Sequence, residues 1–261
     1  CISVVDKGEG QTPNMVPDTF LSLGKENKEG VLFTQGRYNQ GGSGALNFCK
    51  DGISIILTKR CPEINTESLE NSNNWGLTVT RRYTAKERGL PEPCYVYLAP
   101  VKNKGEKSGI LSFSCESLKL FPNKMVPYSK EIKYGSLLKL YGYKMQSAKT
   151  NIVIDFLYGM EVMMPDAIMP VRLHECREKF KEREGSKDFR EQVTSLQGFS
   201  YRNSSNKALE EGFPQHGTIE FKGFSLEYDI YAFTVDYKKK GKGKHFASRR
   251  KKSFDQGIIF T

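Results

Sequence analysis

The sequence has few of the residues from which metal and catalytic sites are built. It contains three histidines in 261 residues, and none stands at ligand spacing from a close cysteine, aspartate or second histidine. The six cysteines form no C-x-x-C pair, so a structural zinc site has little support. We therefore expect a protein that is not an enzyme and that needs no metal or cofactor.

Long apolar runs are also missing. No uninterrupted stretch approaches the ~20 residues that a membrane-crossing helix needs, so we expect no transmembrane segment. The chain opens on Cys1 rather than on methionine, which indicates that residues upstream have been removed. Simple trimming is favoured, and a lipidated N-terminal cysteine, as in bacterial lipoproteins, is the alternative. The compartment and the oligomeric state stay open.

Two pairs of cysteines flank candidate hairpins, Cys49 with Cys61 and Cys94 with Cys115. Each pair could form a disulfide in an oxidising compartment. A chain of this size buries enough surface to fold without such cross-links, which favours reduced, buried thiols.

The distribution of β-branched and aromatic residues predicts a mainly β protein. Short segments of these residues alternate with turns rich in Gly, Pro and Asn, which is typical of an antiparallel sandwich or barrel-like fold. We expect one β-rich domain over residues 1–261, with strands 95–98 and 110–114 pairing across a polar turn. The predicted strands are 31–34, 45–49, 53–58, 77–83, 95–98, 110–114, 117–121, 131–134, 137–143, 151–158, 218–222 and 224–232.

Between residues 170 and 197 the apolar spacing changes to three and four, which predicts a small helical insertion. Pro170 suits the first turn of a helix and Gly198 suits its end. The acidic and basic residues of this stretch are nearly balanced, which indicates a solvated helix face.

The stretch 37–44 is rich in glycine. Such a stretch can cradle a phosphate when a helix begins directly after it. Because residues 45–49 have the pattern of a strand, we interpret 37–44 as a hairpin loop.

The clearest strand is 224–232, where apolar residues alternate with polar ones. This period of two predicts one buried face and one wet face.

The excess positive charge lies in one connection near the C-terminus. The formal net charge is +10, and nine of the fifteen residues of 238–252 are basic. The rest of the chain therefore carries only about +1. Such a run favours a polyanionic partner, and nucleic acid is the leading candidate because phosphate contacts release condensed counterions. The predicted binding residues are Lys238, Lys239, Lys240, Lys242, Lys244, His245, Phe246, Arg249, Arg250, Lys251 and Lys252.

Residue types within this run fit recognition of a nucleic-acid backbone. Arg249 and Arg250 offer planar donors for phosphate, whereas lysines act as mobile point charges. His245 and Phe246 offer rings on which a base can stack. We expect a β-hairpin that binds backbone charge rather than base sequence.

Other interpretations of the same residues stay open. The run 238–252 is also compatible with a solvated loop kept for solubility, a nuclear-targeting segment, or a site for a sulfated glycan or an anionic membrane surface. A secreted or lipid-anchored surface protein that binds glycan or protein is the alternative class. A Mg²⁺-dependent nuclease that uses Glu220 and Lys222, with Asp155 or Asp166, is a second alternative.

Overall fold

The computed structural model describes residues 1–22, 40–68, 71–101, 109–119, 131–144, 160, 164, 166–167, 169–176, 193–204, 207 and 209–233. The described chain is mainly β and its sheets are antiparallel, which confirms the predicted fold class. A sandwich or barrel arrangement stays a prediction. The chain divides into two compact units, Cys1–Met145 and Gln146–Thr261, which are described separately here, and the single-domain prediction stays a prediction.

The first unit is built on a six-stranded antiparallel sheet of order β1-β6-β2-β3-β4, in which β5 also pairs with β3. Short helical segments lie at Val16–Asp18, Gln40–Leu46 (α1), Pro62–Ile64 and Ala85–Arg88 (α2). The strands are β1 (Ile2–Asp6), β2 (Ile53–Lys59), β3 (Trp75–Tyr83), β4 (Cys94–Tyr97), β5 (Leu111–Phe113) and β6 (Gly135–Leu140).

The nine-residue strand β3 organises the outer edge of this sheet. Its residues 80–83 pair with β4 and its residues 75–77 pair with β5. The predicted pairing of 95–98 with 110–114 is therefore wrong. Both segments instead satisfy their backbone hydrogen bonds on the same long neighbour, which local sequence does not reveal.

One face of the sheet carries a row of buried hydroxyls. Ser54 Oγ and Thr80 Oγ1 lie 2.6 Å apart, and Thr58 Oγ1 lies 2.9 Å from the hydroxyl of Ser136. Thr78 Oγ1 donates to the Leu98 carbonyl at 2.8 Å. Each hydroxyl has a partner, so burial costs little.

Residues 10–16 pack against this hydroxyl-bearing face. The Gln11 amide donates to Thr58 Oγ1 at 3.0 Å, and Thr12 and Val16 are fully buried. A Cβ added at Gly76 would lie 2.8 Å from the end of the Ile110 side chain and 3.3 Å from the Pro13 Cα, so both neighbours would have to shift to admit a larger residue.

The opposite face is covered at one end only. Leu57, Trp75 and Leu137 form a buried cluster with Ile132, which is held over them by an isolated bridge to Leu118. Toward the other end the side chains of this face are half-buried or exposed.

The glycine-rich stretch differs from the prediction. α1 begins at Gln40 and ends at Leu46, so the hairpin loop over 37–44 and the strand over 45–49 are both wrong for the described residues. Leu46 and Cys49 are buried against Leu140 of β6. Packing of these spaced apolar side chains on the sheet outweighs the low helix propensity of glycine.

Within its described residues, the second unit forms two two-stranded ladders and a short helix. The elements are β7 (Val171–His174), β8 (Val193–Leu196), α3 (Phe199–Asn203), β9 (Gln215–Phe221) and β10 (Phe224–Ile230).

The helical insertion predicted for 170–197 is wrong at both ends. Val171 pairs with Leu196 and His174 with Val193 in an antiparallel ladder, while 177–192 lie outside the described residues. Val171 and Leu173 alternate as in a strand, but Val193 and Leu196 are three apart, a spacing typical of a helix. Both segments are strands because they pair with each other across about twenty residues of sequence.

β9 and β10 correspond to the predicted strands 218–222 and 224–232, and they form a hairpin with a two-residue turn at Lys222 and Gly223. Both turn residues have positive φ, 50° and 82°, which suits a tight hairpin turn. The predicted burial of one face is wrong, since every residue of β10 is exposed. Alternation specifies which side chains share a face but not whether anything covers it. The predicted strands at 31–34 and 151–158 lie outside the described residues.

Candidate nucleic-acid interface

The polyanion site predicted from sequence, from Lys238 to Lys252, lies wholly outside the described residues. The conformation of this segment is therefore not described. The described residues do, however, bring a second set of cationic and aromatic side chains together on the sheet of the first unit. We call this set the basic–aromatic face, and it comprises Arg81, Tyr83, Arg88, Lys139 and Tyr141.

Strand register places these residues on one side of the sheet. Ile53 of β2 pairs with Arg81 of β3 on one side, and the Tyr141 amide donates to the Ile53 carbonyl at 3.1 Å on the other. Ile55, two residues along β2, pairs with Lys139. Because side chains at directly paired positions point to the same face, the basic–aromatic face extends over three adjacent strands.

The middle of this face is apolar and accessible. Ile53 and Ile55 are half-buried, and Val79 beside them is 37% exposed. The neighbouring residues Ser54 and Thr80 point the other way, into the buried hydroxyl row. The sheet thus presents an accessible apolar strip with cations on both flanks.

The cations lie against the aromatic rings. The guanidinium carbons of Arg81 and Arg88 are each 4.3 Å from the centroid of the Tyr83 ring. Lys139 Nζ is 5.3 Å from the centroid of Tyr141. These distances are within cation–π range, which restrains the long cationic side chains before any ligand arrives.

A capped helical turn supports Arg88. The Thr84 hydroxyl accepts from the Glu87 amide at 3.3 Å, and the Glu87 carboxylate accepts from the Thr84 amide at 2.7 Å. Gly89 follows with a left-handed φ of 63°, which ends the turn. This capping box orients α2, and with it Arg88, over Tyr83.

The nearest described acidic partner of this face is Glu87. Hydrogen bonds from the Thr84 backbone and side chain, and then the charge of Arg81, lower the pKa of the Glu87 carboxyl. Its Oε1 is 3.5 Å from Arg81 Nη2, a long and exposed pair that contributes little. Arg81 Nε is buried and has no hydrogen-bond partner among the described residues, so it is not open to an incoming anion. The side chain as a whole is 44% exposed, so an anion would meet the outer part of the guanidinium.

Two other cations of the first unit have structural partners. Lys59 Nζ donates to the Cys115 carbonyl at 3.0 Å, and Arg60 Nη1 donates to the Gly10 carbonyl at 3.0 Å and pairs with Glu9 at 3.1 Å. These contacts hold loops to the sheet.

The glycine-rich stretch meets the condition that phosphate binding would require, because a helix does begin within it, at Gln40. That helix has only seven residues, so its dipole is small. We assign no site to it on this ground alone.

The nuclease residues are not gathered into a metal site within the described chain. Glu220 lies on the polar face of the β9–β10 hairpin, whereas Lys222 occupies the turn, with its Nζ 5.3 Å from the Phe221 ring. Asp166 is exposed, and Asp155 is not described. Across the described ranges, no group of three or more His, Cys, Asp or Glu side chains is placed to hold a metal ion.

All six cysteines, each within the described ranges, are free thiols, so neither candidate disulfide is formed. Burial raises the pKa of the Cys49 thiol, which keeps it protonated and unreactive.

Comparison of the chain with protein-family models, with curated proteins and with solved structures finds no match. Within the described residues, no helix combines the length and hydropathy needed to cross a membrane.

The sequence pattern by itself did not predict the basic–aromatic face. Residues 77–83 were interpreted only as a half-exposed strand, and 137–143 only as a further strand. The available signal was the placing of a cation two residues before a tyrosine at the ends of two predicted strands, Arg81 with Tyr83 and Lys139 with Tyr141. Only the register shows that these pairs share a face.

Proposed function

We propose that the protein binds single-stranded nucleic acid and is not an enzyme. The observation that carries this proposal is the basic–aromatic face, where three cations and two tyrosines surround an accessible apolar strip. Such a combination of stacking surfaces and positive charge suits a strand whose bases are unpaired. The basic run 238–252 supports the same assignment by its charge.

In the proposed complex the cations contact phosphates and the rings contact bases. Arg81, Arg88 and Lys139 position the sugar–phosphate backbone, which carries no sequence information. Tyr141 offers a ring surface on which a base stacks irrespective of its identity, and the guanidinium groups that lie against Tyr83 offer planar surfaces of their own. Binding is therefore expected to tolerate changes of sequence and to depend strongly on salt.

Salt dependence separates the contributions of the two basic regions. The three cations of the face predict that log K falls by about 2 for each tenfold rise in salt. If the nine basic residues of 238–252 also contact phosphates, the slope rises to about 8. A titration of the full chain with labelled oligothymidylate at several salt concentrations measures this slope.

Matched variants test the face itself. Tyr83→Ala is expected to weaken binding by about tenfold, because Arg81 and Arg88 lose the ring that holds them in place. Tyr97→Ala is the control, since it removes an accessible tyrosine ring that lies beside Thr80 on the opposite face. Lys139→Gln removes one positive charge from the basic–aromatic face. Lys7→Gln is its control, because it removes one positive charge just beyond the end of β1.

Several outcomes would count against the proposal. Binding that is absent or independent of salt excludes it, and equal losses in Tyr83→Ala and Tyr97→Ala remove the sheet from the site. Preference for a heparin fragment over the oligonucleotide would assign the charge to sulfated glycan. Equally tight binding of a mononucleotide would move the site to the glycine-rich start of α1.

A further inference from the structure

One side of the β9–β10 hairpin in the second unit is apolar along most of its length, with Gln215 at its end, and is open to solvent. Strand register pairs Phe221 with Phe224 and Ile219 with Leu226, so these side chains share a face. Phe224 is the most exposed of them at 71%, and Tyr228 the least at 39%. We call this surface the apolar hairpin face, and it comprises Ile219, Phe221, Phe224, Leu226, Tyr228 and Ile230.

The other side of the hairpin is polar and acidic. His216 Nδ1 and Asp229 Oδ1 are hydrogen-bonded at 2.5 Å across the two strands. Glu220 pairs with Ser225, and Glu227 with Thr218, so both carboxylates lie on the same side as Asp229. Three carboxylates favour hydration, so burial of this hairpin against a partner would use the apolar side.

The hairpin has no other strand to support it in the described part of the chain, where β9 and β10 pair only with each other. An isolated two-stranded ribbon is marginally stable in water. The Tyr228 ring lies over Gly217, where an added Cβ would collide with it. The ring therefore covers a small part of this side of the hairpin. The remaining apolar side chains gain nothing from this contact.

The size of the face indicates what covers it. Six such side chains at these exposures present roughly 600 Å², which is at the upper limit of apolar patches on monomers. Two copies packed face to face would bury about 1,200 Å², the lower end of the range for specific interfaces. We propose that the apolar hairpin face is a self-association surface that packs on the same face of a second copy of this chain.

Self-association through this face is consistent with its shape and charge. Two ribbons can pack as two sheet layers about 10 Å apart, with their apolar side chains interdigitated. A two-fold arrangement turns both acidic sides outward, so the like charges stay apart and hydrated. An interface of this small area is typical of weak or transient association, so we expect a reversible dimer.

Sedimentation velocity of the full chain over a range of concentrations tests the proposal. We expect a monomer–dimer equilibrium that Leu226→Asp weakens by at least a hundredfold. Ser225→Asp is the control, because it adds the same charge one residue away on the opposite side of the ribbon. Circular dichroism establishes that each variant is folded, and Phe224→Ser at the most exposed position replaces Leu226→Asp if the latter is not.

A monomer at every concentration overturns the proposal, as does a dimer that survives both apolar-face variants. If the monomer also fails to bind a hydrophobic dye, the chain's own residues cover the apolar hairpin face and the proposal is wrong for that reason. These results are independent of oligonucleotide binding. Loss of the dimer leaves the proposed function standing, and the reverse also holds.

Discussion

Strands β2 and β3 of the first unit and the β9–β10 hairpin of the second are both amphipathic, but they have opposite surroundings. Ser54 and Thr80 of the first pair are buried polar groups that bond to each other. Phe221 and Phe224 of the second pair are exposed apolar groups. The comparison shows that a strand's own sequence decides which side chains share a face, whereas the neighbouring elements decide whether that face is buried.

The largest expected effect comes from removing an aromatic ring from each region and comparing the change in unfolding free energy. Trp75→Ala is expected to cost about 3–5 kcal/mol of unfolding free energy, because the fully buried side chain leaves a cavity under Ile132. Phe224→Ala is expected to change stability by less than about 0.5 kcal/mol at concentrations where the chain is monomeric. Urea denaturation measures both. Similar losses would show that the hairpin is packed, contrary to its exposure.

A smaller effect is expected in the hydroxyl row. Thr80→Val removes the partner of the buried Ser54 hydroxyl and is expected to cost about 1–3 kcal/mol. Adding Ser54→Ala should recover part of that loss, because no unpaired hydroxyl then remains. Thr218→Val on the exposed hairpin serves as the control and should be nearly neutral. A double variant less stable than Thr80→Val would contradict the pairing.

The smallest effect concerns pH. Burial, and then the charge of Arg172, lowers the pKa of His174 in β7 below its ordinary value. Because the unfolded chain binds this proton more readily, stability is complete above the ordinary histidine pKa and falls as the pH drops below it. Thermal melting between pH 7 and pH 5 should show this loss for the native chain and less of it for His174→Gln. An equal pH dependence in both proteins would remove His174 as the cause.

Local pattern predicted most strands of the described chain. The β-branched run at 53–58 and the alternation at 77–83 and 224–232 correspond to β2, β3 and β10. The segments 170–176 and 193–197 were misassigned because their apolar spacing favours a helix, and only the pairing between the two segments shows that they are strands. The glycine-rich stretch was misassigned because packing of Leu46 on Leu140 is a long-range contact.

The candidate interface was less accessible to sequence reasoning than the fold. Concentrated charge, as in 238–252, is visible along the chain because its members are neighbours in sequence. Arg81 and Lys139 are separated by more than fifty residues, and they share a face only because β2 lies between β3 and β6. Neither residue stands out from the other cations of the chain until that order is known.

By itself, the sequence determined most of the strands of the described chain, which side chains lie together on each of them and where the net charge is concentrated. These properties depend on residues a few positions apart, through steric preference, side-chain alternation and turn chemistry. Tertiary structure alone decided that β3 pairs with both β4 and β5, that a row of hydroxyls is buried, and that the apolar side of the β9–β10 hairpin faces water. Those outcomes depend on which distant segments meet, because burial and hydrogen-bond satisfaction are settled between elements rather than within them.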